Sequence, residues 1–283
     1  MLLKLDHVKK TYGTFSLDVS MQLAEGQVIG LIGANGAGKS TTFKAILGLI
    51  FAESGTCEIL GKSANGLTEE EKQQIGVVLS DSGFSGYLTV KDLIPILDSL
   101  YRDFSKAEFE EKCRHFKLPL DKQIKDFSTG MKAKLKVLVA LSHNAKFLLL
   151  DEPTSGLDVV VRQELLDMLR EYMEDGTKGI LISSHISSDL EGLCDEVYMI
   201  DNGQIIMREE TDVLLSEYGV LKVTSEQYEK LEKQHLMKVK KDQMYYSCLT
   251  NQKAYYMENY PELTIEKGNI DEFLMLMLCG KEV

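Results

Sequence analysis

No stretch of the 283 residues approaches the run of roughly 18 to 20 apolar residues that a membrane-spanning helix requires. The richest run, Phe273 to Cys279, is far too short and follows the acidic pair Asp271-Glu272. Positive charge is also in deficit: 32 Lys and Arg face 44 Asp and Glu, a formal net charge of -12. That balance repels phosphate backbones and anionic headgroups, so nucleic acid is not an expected partner and neither is direct adsorption to a membrane. Five cysteines are scattered without C-x-x-C spacing, which points to reduced thiols in a reducing cytoplasm and to no cysteine metal site. The opening MLLKLDHVKK lacks the charged, apolar, small order of a secretory signal. Work at a membrane is therefore expected to run through a partner.

What is present is an ordinary globular composition, 44% hydrophobic and 27% charged, at a length that holds one large domain or one domain plus a small appendage. Leu2 to Val8 and Phe15 to Leu23 read as strands around a Tyr12-Gly13 turn. Gln27 to Ile32 is a compact apolar run ending at Gly33, and Lys39 to Leu49 has helical spacing. From about Thr89 to Lys125, and on into a helix starting near Ser128, the pattern is amphipathic-helical. Phe147 to Leu150 and Ile180 to Ser183 read as strands around the helical stretch Val160 to Met173. Strands alternating with helices predict an α/β fold whose mostly parallel sheet is covered on both faces.

After about Asp212 the pattern changes to a small α+β appendage without a glycine motif, in which no chemistry is legible. The expected division is residues 1–211, with a helical subdomain at about 89–141, followed by residues 212–283.

The chemistry starts at Gly33-Ala34-Asn35-Gly36-Ala37-Gly38-Lys39-Ser40, which fits G-x-x-x-x-G-K-[ST] after a predicted strand and before a predicted helix. Glycines let successive backbone N–H groups turn inward around phosphate oxygens, and the helix N-terminus adds its positive end. Lys39 is placed to reach the outer phosphates and the Ser40 hydroxyl to meet Mg²⁺, with Thr41 beside it. Alone, this loop says only P-loop NTPase. A second element, the buried run Phe147 to Leu150, delivers Asp151 and Glu152 at its carboxyl end, where open α/β sheets bind ligands. Asp151 suits the Mg²⁺ shell, and Glu152 is placed to polarise an attacking water.

Between them, Phe127-Ser128-Thr129-Gly130-Met131-Lys132 resembles the ATP-binding-cassette (ABC) signature usually written L-S-G-G-Q. Downstream, Ser155-Gly156-Leu157-Asp158 resembles the family's D-loop, and His185 its switch histidine. In order and context these match the ABC ATPase family to about residue 210, in a form similar to bacterial ABC-2-type exporter ATPases.

The resemblance implies a P-loop ABC ATPase core with a mostly parallel sheet, an antiparallel β subdomain and a helical subdomain. It implies ATP and Mg²⁺ as ligands, with Tyr12 stacking on adenine and His185 contacting the γ-phosphate. Asp158 would communicate between sites. It also implies a composite site, in which the Ser128 and Gly130 region of one ATPase subunit caps ATP on another, as a homodimer or a heterodimer. The expected function is ATP hydrolysis that drives an exporter through a separate membrane-spanning chain, the ATPase lying at the cytoplasmic face of the membrane. The alternative is a soluble ABC ATPase with a regulatory or non-transport role. One departure stands out: Ser80 occupies the position of the family's Q-loop glutamine, so Ser80 or the adjacent Asp81 is expected at the metal.

Overall fold

The computed structural model describes residues 1–282. In chain order the first part runs β1 (Leu3–Tyr12), β2 (Phe15–Leu23), β3 (Val28–Ile32), α1 (Lys39–Ile46), β4 (Ser54–Ile59), β5 (Lys62–Ser63), α2 (Glu69–Lys72), β6 (Ile75–Val78), α3 (Val90–Leu100), α4 (Lys106–His115) and α5 (Thr129–Leu141). Next come β7 (Phe147–Asp151), α6 (Val159–Met173), β8 (Gly179–Ser184), α7 (Ser187–Glu191), β9 (Glu196–Asp201), β10 (Gln204–Glu210) and α8 (Thr211–Glu217). The last part is β11 (Gly219–Val223), α9 (Ser225–Lys230), β12 (Leu236–Lys241), β13 (Tyr246–Thr250), α10 (Lys253–Asn259), β14 (Thr264–Glu266) and α11 (Ile270–Cys279). No helix of the described residues is long and apolar enough to cross a membrane.

One sheet of ten strands has the order β5-β4-β1-β2-β10-β9-β3-β8-β7-β6. From β9 to β6 every neighbouring pair is parallel. The other half is an antiparallel arm, joined through a single β2–β10 bridge. The parallel strands are buried on both faces, and their pleat splits side chains between two cores. Leu148, Leu150, Ile180 and Ile182 face the helices α3 to α6. Phe147, Leu149, Leu181, Ile29 and Leu31 face α1 and the antiparallel arm. Complete burial of a Leu or Ile side chain contributes roughly 1.5 to 3 kcal/mol, so β3, β7 and β8 are the rigid floor on which the polar loops at their carboxyl ends stand.

Two elements differ from the sequence expectation. The first strand runs on to Tyr12 through a bulge between Leu5 and Val8. The helix after the glycine loop stops at Ile46 rather than Leu49, because Gly48 turns at φ +67° and the Leu49 N–H bonds back to the Lys44 carbonyl. That is the usual glycine exit from a helix.

Strands β11 to β14 form a second sheet in the order β12-β13-β11-β14, antiparallel throughout. With α9 and α10 it is a β-α-β-β-α-β plait of the split βαβ type. One face of this sheet, with Leu221, Val223, Val239 and Cys248, packs with Tyr256. The other face, with Val220 and Leu249, joins Ile270, Phe273 and Leu276 of α11 in the same core as α3 to α6.

Candidate active site

The loop from Gly33 to Gly38 is shaped by close approaches that only glycine allows. A Cβ on Gly33 would lie 2.3 Å from the Ile200 carbonyl oxygen, and Gly38 turns at φ +116°. The hairpin turn Asn202-Gly203 supports the loop from below: the Gly203 N–H donates to the Ala37 carbonyl, and the Gly203 carbonyl accepts from the Asp18 N–H, both at 2.8 Å. Gly38 caps α1 without any side-chain hydrogen bond, so the first-turn N–H groups of Lys39, Ser40 and Thr41 have no partner of their own. Such a helix start is an anion site. Lys39 is almost fully buried. Its Nζ donates to the Gly33 carbonyl at 2.7 Å and lies 3.4 Å from Glu152 Oε1.

Asp151 and Glu152 stand at the end of β7. Ser183 of the adjacent β8 fixes both: its hydroxyl donates to Asp151 Oδ1 at 2.7 Å and accepts the Glu152 N–H at 2.9 Å. Glu152 turns at φ +51°, a conformation uncommon outside glycine that marks sites where geometry is imposed by surroundings. Its Oε2 lies 2.5 Å from His185 Nδ1 and accepts the His185 backbone N–H at 3.3 Å. With the carboxylate as acceptor, the proton of this contact sits on Nδ1. On the other side, the Ser80 hydroxyl donates to Asp151 Oδ2 at 2.9 Å. Asp81 instead turns away to pair with Lys44 at 2.8 Å. Of the two neighbours, Ser80 stands against Asp151 and Asp81 does not.

Asn35, Gly36, Gly38, Lys39, Ser40, Thr41, Ser80, Asp151, Glu152 and His185 line one open cavity of about 980 Å³. Its far wall is the start of α5, with Thr129, Lys132 and Lys136. The Lys136 ammonium approaches the Leu79 carbonyl at 3.5 Å. Its burial lowers its pKa, against the pull of Asp81. Six of the expected residues do not line this cavity: Gly33 and Ala37 sit within the glycine loop itself, and Tyr12, Ser128, Gly130 and Asp158 lie elsewhere. Tyr12 is exposed at the end of β1, next to the Phe15 ring that touches Gly38. Ser128 caps α5 by accepting the Met131 N–H at 3.2 Å and is exposed. Gly130 is half-buried and lies against Val161 of α6. Asp158 is the N-cap of α6, accepting the N–H groups of Val160 and Val161 at 3.0 Å each.

Sequence reasoning did not single out Ser183, Gly203 or Asp189. Asp189 of α7 is buried and accepts the Thr154 hydroxyl at 2.6 Å; burial raises its pKa against that bond and against Arg162. The first serine of ILISS and the Asn202-Gly203 pair were the available signals.

Residues 17–155 match the protein family described as ABC transporter. The chain is 34% identical over 215 residues to the lantibiotic transport ATP-binding protein SrtF of Streptococcus pyogenes, covering 75% of this chain and 92% of that protein. It is 33% identical over 209 residues to the bacitracin transport ATP-binding protein BcrA of Bacillus licheniformis, covering 72% and 68%. A solved structure described as the ATP binding subunit of an ABC transporter superposes with a TM-score of 0.68 at 30% identity, covering 76% of this chain and 92% of that one.

Proposed function

The chain belongs to the ABC transporter ATP-binding family, and from that premise we propose specific roles for its residues in ATP hydrolysis and transport. It is the ATP-binding, ATP-hydrolysing subunit of an exporter-type ABC system. The observation that carries the proposal is the convergence of the P-loop, Asp151, Glu152, His185 and Ser80 on one cavity. The loop N–H groups, Asn35 and Lys39 bind the phosphates. Glu152 takes the proton of the attacking water, and His185, held by Glu152, faces the γ-phosphate. Tyr12 offers its exposed ring to the adenine.

The donor set fits Mg²⁺. Ser40, Ser80 and Asp151 supply only hard oxygens, and two of Asp151's hydrogen bonds come from serine hydroxyls that fix its lone pairs. Among the described residues no cluster of three His, Cys, Asp or Glu could cage a metal, which suits an ion that keeps waters and phosphate oxygens as ligands. When bound, Mg²⁺ neutralises charge on the phosphates. Ser80→Ala is expected to raise the Mg²⁺ concentration for half-maximal hydrolysis about tenfold, with metal-free ATP binding unchanged. An unaltered Mg²⁺ dependence would remove Ser80 from the metal set.

Ser128 and Gly130 do not line the cavity of the chain's own phosphate loop, although Thr129 and Lys132 beside them do, and Val159 and Val160 at the start of α6 are exposed. That arrangement supports a composite site, in which the partner subunit's α5 start caps the γ-phosphate. In this reading residues 1–211 are the cassette and 212–283 an accessory module. The cassette works at the cytoplasmic face of the membrane with a separate membrane-spanning chain. Relatives named for lantibiotic and bacitracin transport support a peptide antibiotic as the class of cargo.

Light scattering on purified Glu152→Gln protein tests the composite site. The expected result is a monomer alone and a dimer with Mg-ATP. A monomer that binds ATP without dimerising would count against the sandwich in the absence of the membrane chain.

A further inference from the structure

Helix α7 begins two residues after His185 and is only five residues long. A helix of this length has no stability of its own, so its position is set by what holds it. On the cassette side, Asp189 accepts the Thr154 hydroxyl at 2.6 Å, two residues beyond Glu152, and lies 3.6 Å from Arg162. Arg162 in turn donates to the Leu157 carbonyl of the 155–158 loop at 3.3 Å.

On its outer side α7 is gripped by α11. The buried Ser187 hydroxyl donates to Asp271 Oδ2 at 2.8 Å, and the Ile270 N–H donates to Glu191 Oε1 at 3.0 Å. These bonds join the two ends of α7 to the first turn of α11 across 84 and 79 residues of sequence. The grip is itself anchored, since Ile270, Phe273 and Leu276 are buried in the core with Leu190 of α7, and Lys222 of β11 donates to Glu272 at 2.8 Å. His185, by contrast, is 45% exposed, and its hydrogen bonds are to Glu152 alone. The loop carrying it is therefore fixed by β8 behind and by α7 ahead.

We propose that Asp271 and Ser187 are a positioning pair through which the C-terminal module holds His185 against Glu152, so that the module governs turnover rather than nucleotide binding. This rests on the roles of Glu152 and His185 given above. The pair touches no substrate. It sets the geometry of the loop that does.

The test uses full-length protein carrying Asp271→Ala, Asp271→Asn, Ser187→Ala or the double alanine change. Each alanine variant is expected to lower kcat about tenfold, the scale of one lost hydrogen bond to a charged group, while KM and Kd for ATP stay within about twofold. The double variant falls no further than either single, as members of one contact do. The Asp271→Asn change keeps an acceptor and restores most of the rate. The His185 imidazole signal, assigned among the five histidines by a His185→Gln variant, shifts in Asp271→Ala and returns in Asp271→Asn. Full kcat in folded Asp271→Ala and Ser187→Ala would overturn the pair, as would additive losses. Should Asp271→Ala fail to fold, Ser187→Ala, which deletes a single hydroxyl, decides alone. Glu152→Gln, run alongside, separates the two claims: wild-type turnover there removes the underlying site assignment, whereas its inactivity beside fully active Asp271 and Ser187 variants removes only the pair.

Discussion

Glu152→Gln is expected to lose turnover by about 10²- to 10⁴-fold, the usual contribution of a positioned general base, and to bind ATP at least as tightly as the unaltered chain. Glutamine keeps the length and planarity of the side chain, and its carbonyl oxygen can still accept the His185 N–H that Glu152 Oε2 accepts at 3.3 Å. What it cannot do is take a proton from water. The binding half of the prediction follows from Lys39, whose ammonium lies 3.4 Å from Glu152 Oε1 in a site where both groups are largely buried. An incoming phosphate must compete with that carboxylate for the lysine, and a neutral amide competes less. Steady-state phosphate release and ATP titration calorimetry on one preparation check both halves. Turnover near the unaltered rate would remove Glu152 as the base. Lost turnover with lost binding would instead mean that the carboxylate shapes the phosphate loop.

The motif residues were the legible part of this site because each needs only local chemistry: a glycine turn, a helix start, a strand end. The supports were not legible, because they come from strands distant in sequence. Ser183 reaches Asp151 across 32 residues, and nothing in ILISS says that its first serine points at the carboxylates. Gly203 holds the Ala37 carbonyl from a hairpin that the family motifs do not touch. Its local signal was nonetheless strong: Asn202 and Gly203 both adopt positive φ, +46° and +79°, as a two-residue hairpin turn requires.

The sheet was legible where strands are continuous apolar runs, as in β3, β7 and β8, and obscure where one face is solvated. Strand β12 is hard to read because Lys238, Lys240 and Lys241 interrupt Leu236 and Val239, and the stretch before it, EQYEKLEKQ, has helical composition over more residues than the six of α9. With β12 missing, the plait topology could not be written from the sequence. Its order follows only once β13 is seen to pair with both β12 and β11. The same limit hid the grip of α11 on α7, where Asp271 and Ser187 carry no motif and meet only through the tertiary fold.

Lys39→Ala is expected to weaken ATP binding about 10- to 100-fold, the range for losing one charge-assisted hydrogen bond in a screened site, and to leave the fold intact. The side chain is almost fully buried, yet its polar contacts are to the Gly33 and Ala34 carbonyls and to Glu152. Ala34 is exposed, and Lys39 itself lines the open cavity, so water can replace the ammonium when the lysine is removed. The glycine turns, the Gly203 strut and the uncapped start of α1 do not depend on Lys39, so residual affinity from backbone N–H groups should remain. Removing Lys39 also leaves Glu152 its hydrogen bonds with His185, so the carboxylate keeps a partner. Binding loss is therefore expected to appear in the affinity for ATP and not in melting temperature without nucleotide. Calorimetric titration and a thermal melt distinguish the outcomes. Equal ATP affinity would mean that the loop N–H groups alone hold the phosphates. A large drop in melting temperature would mean that Lys39 closes the loop as a structural strut, with its phosphate role secondary.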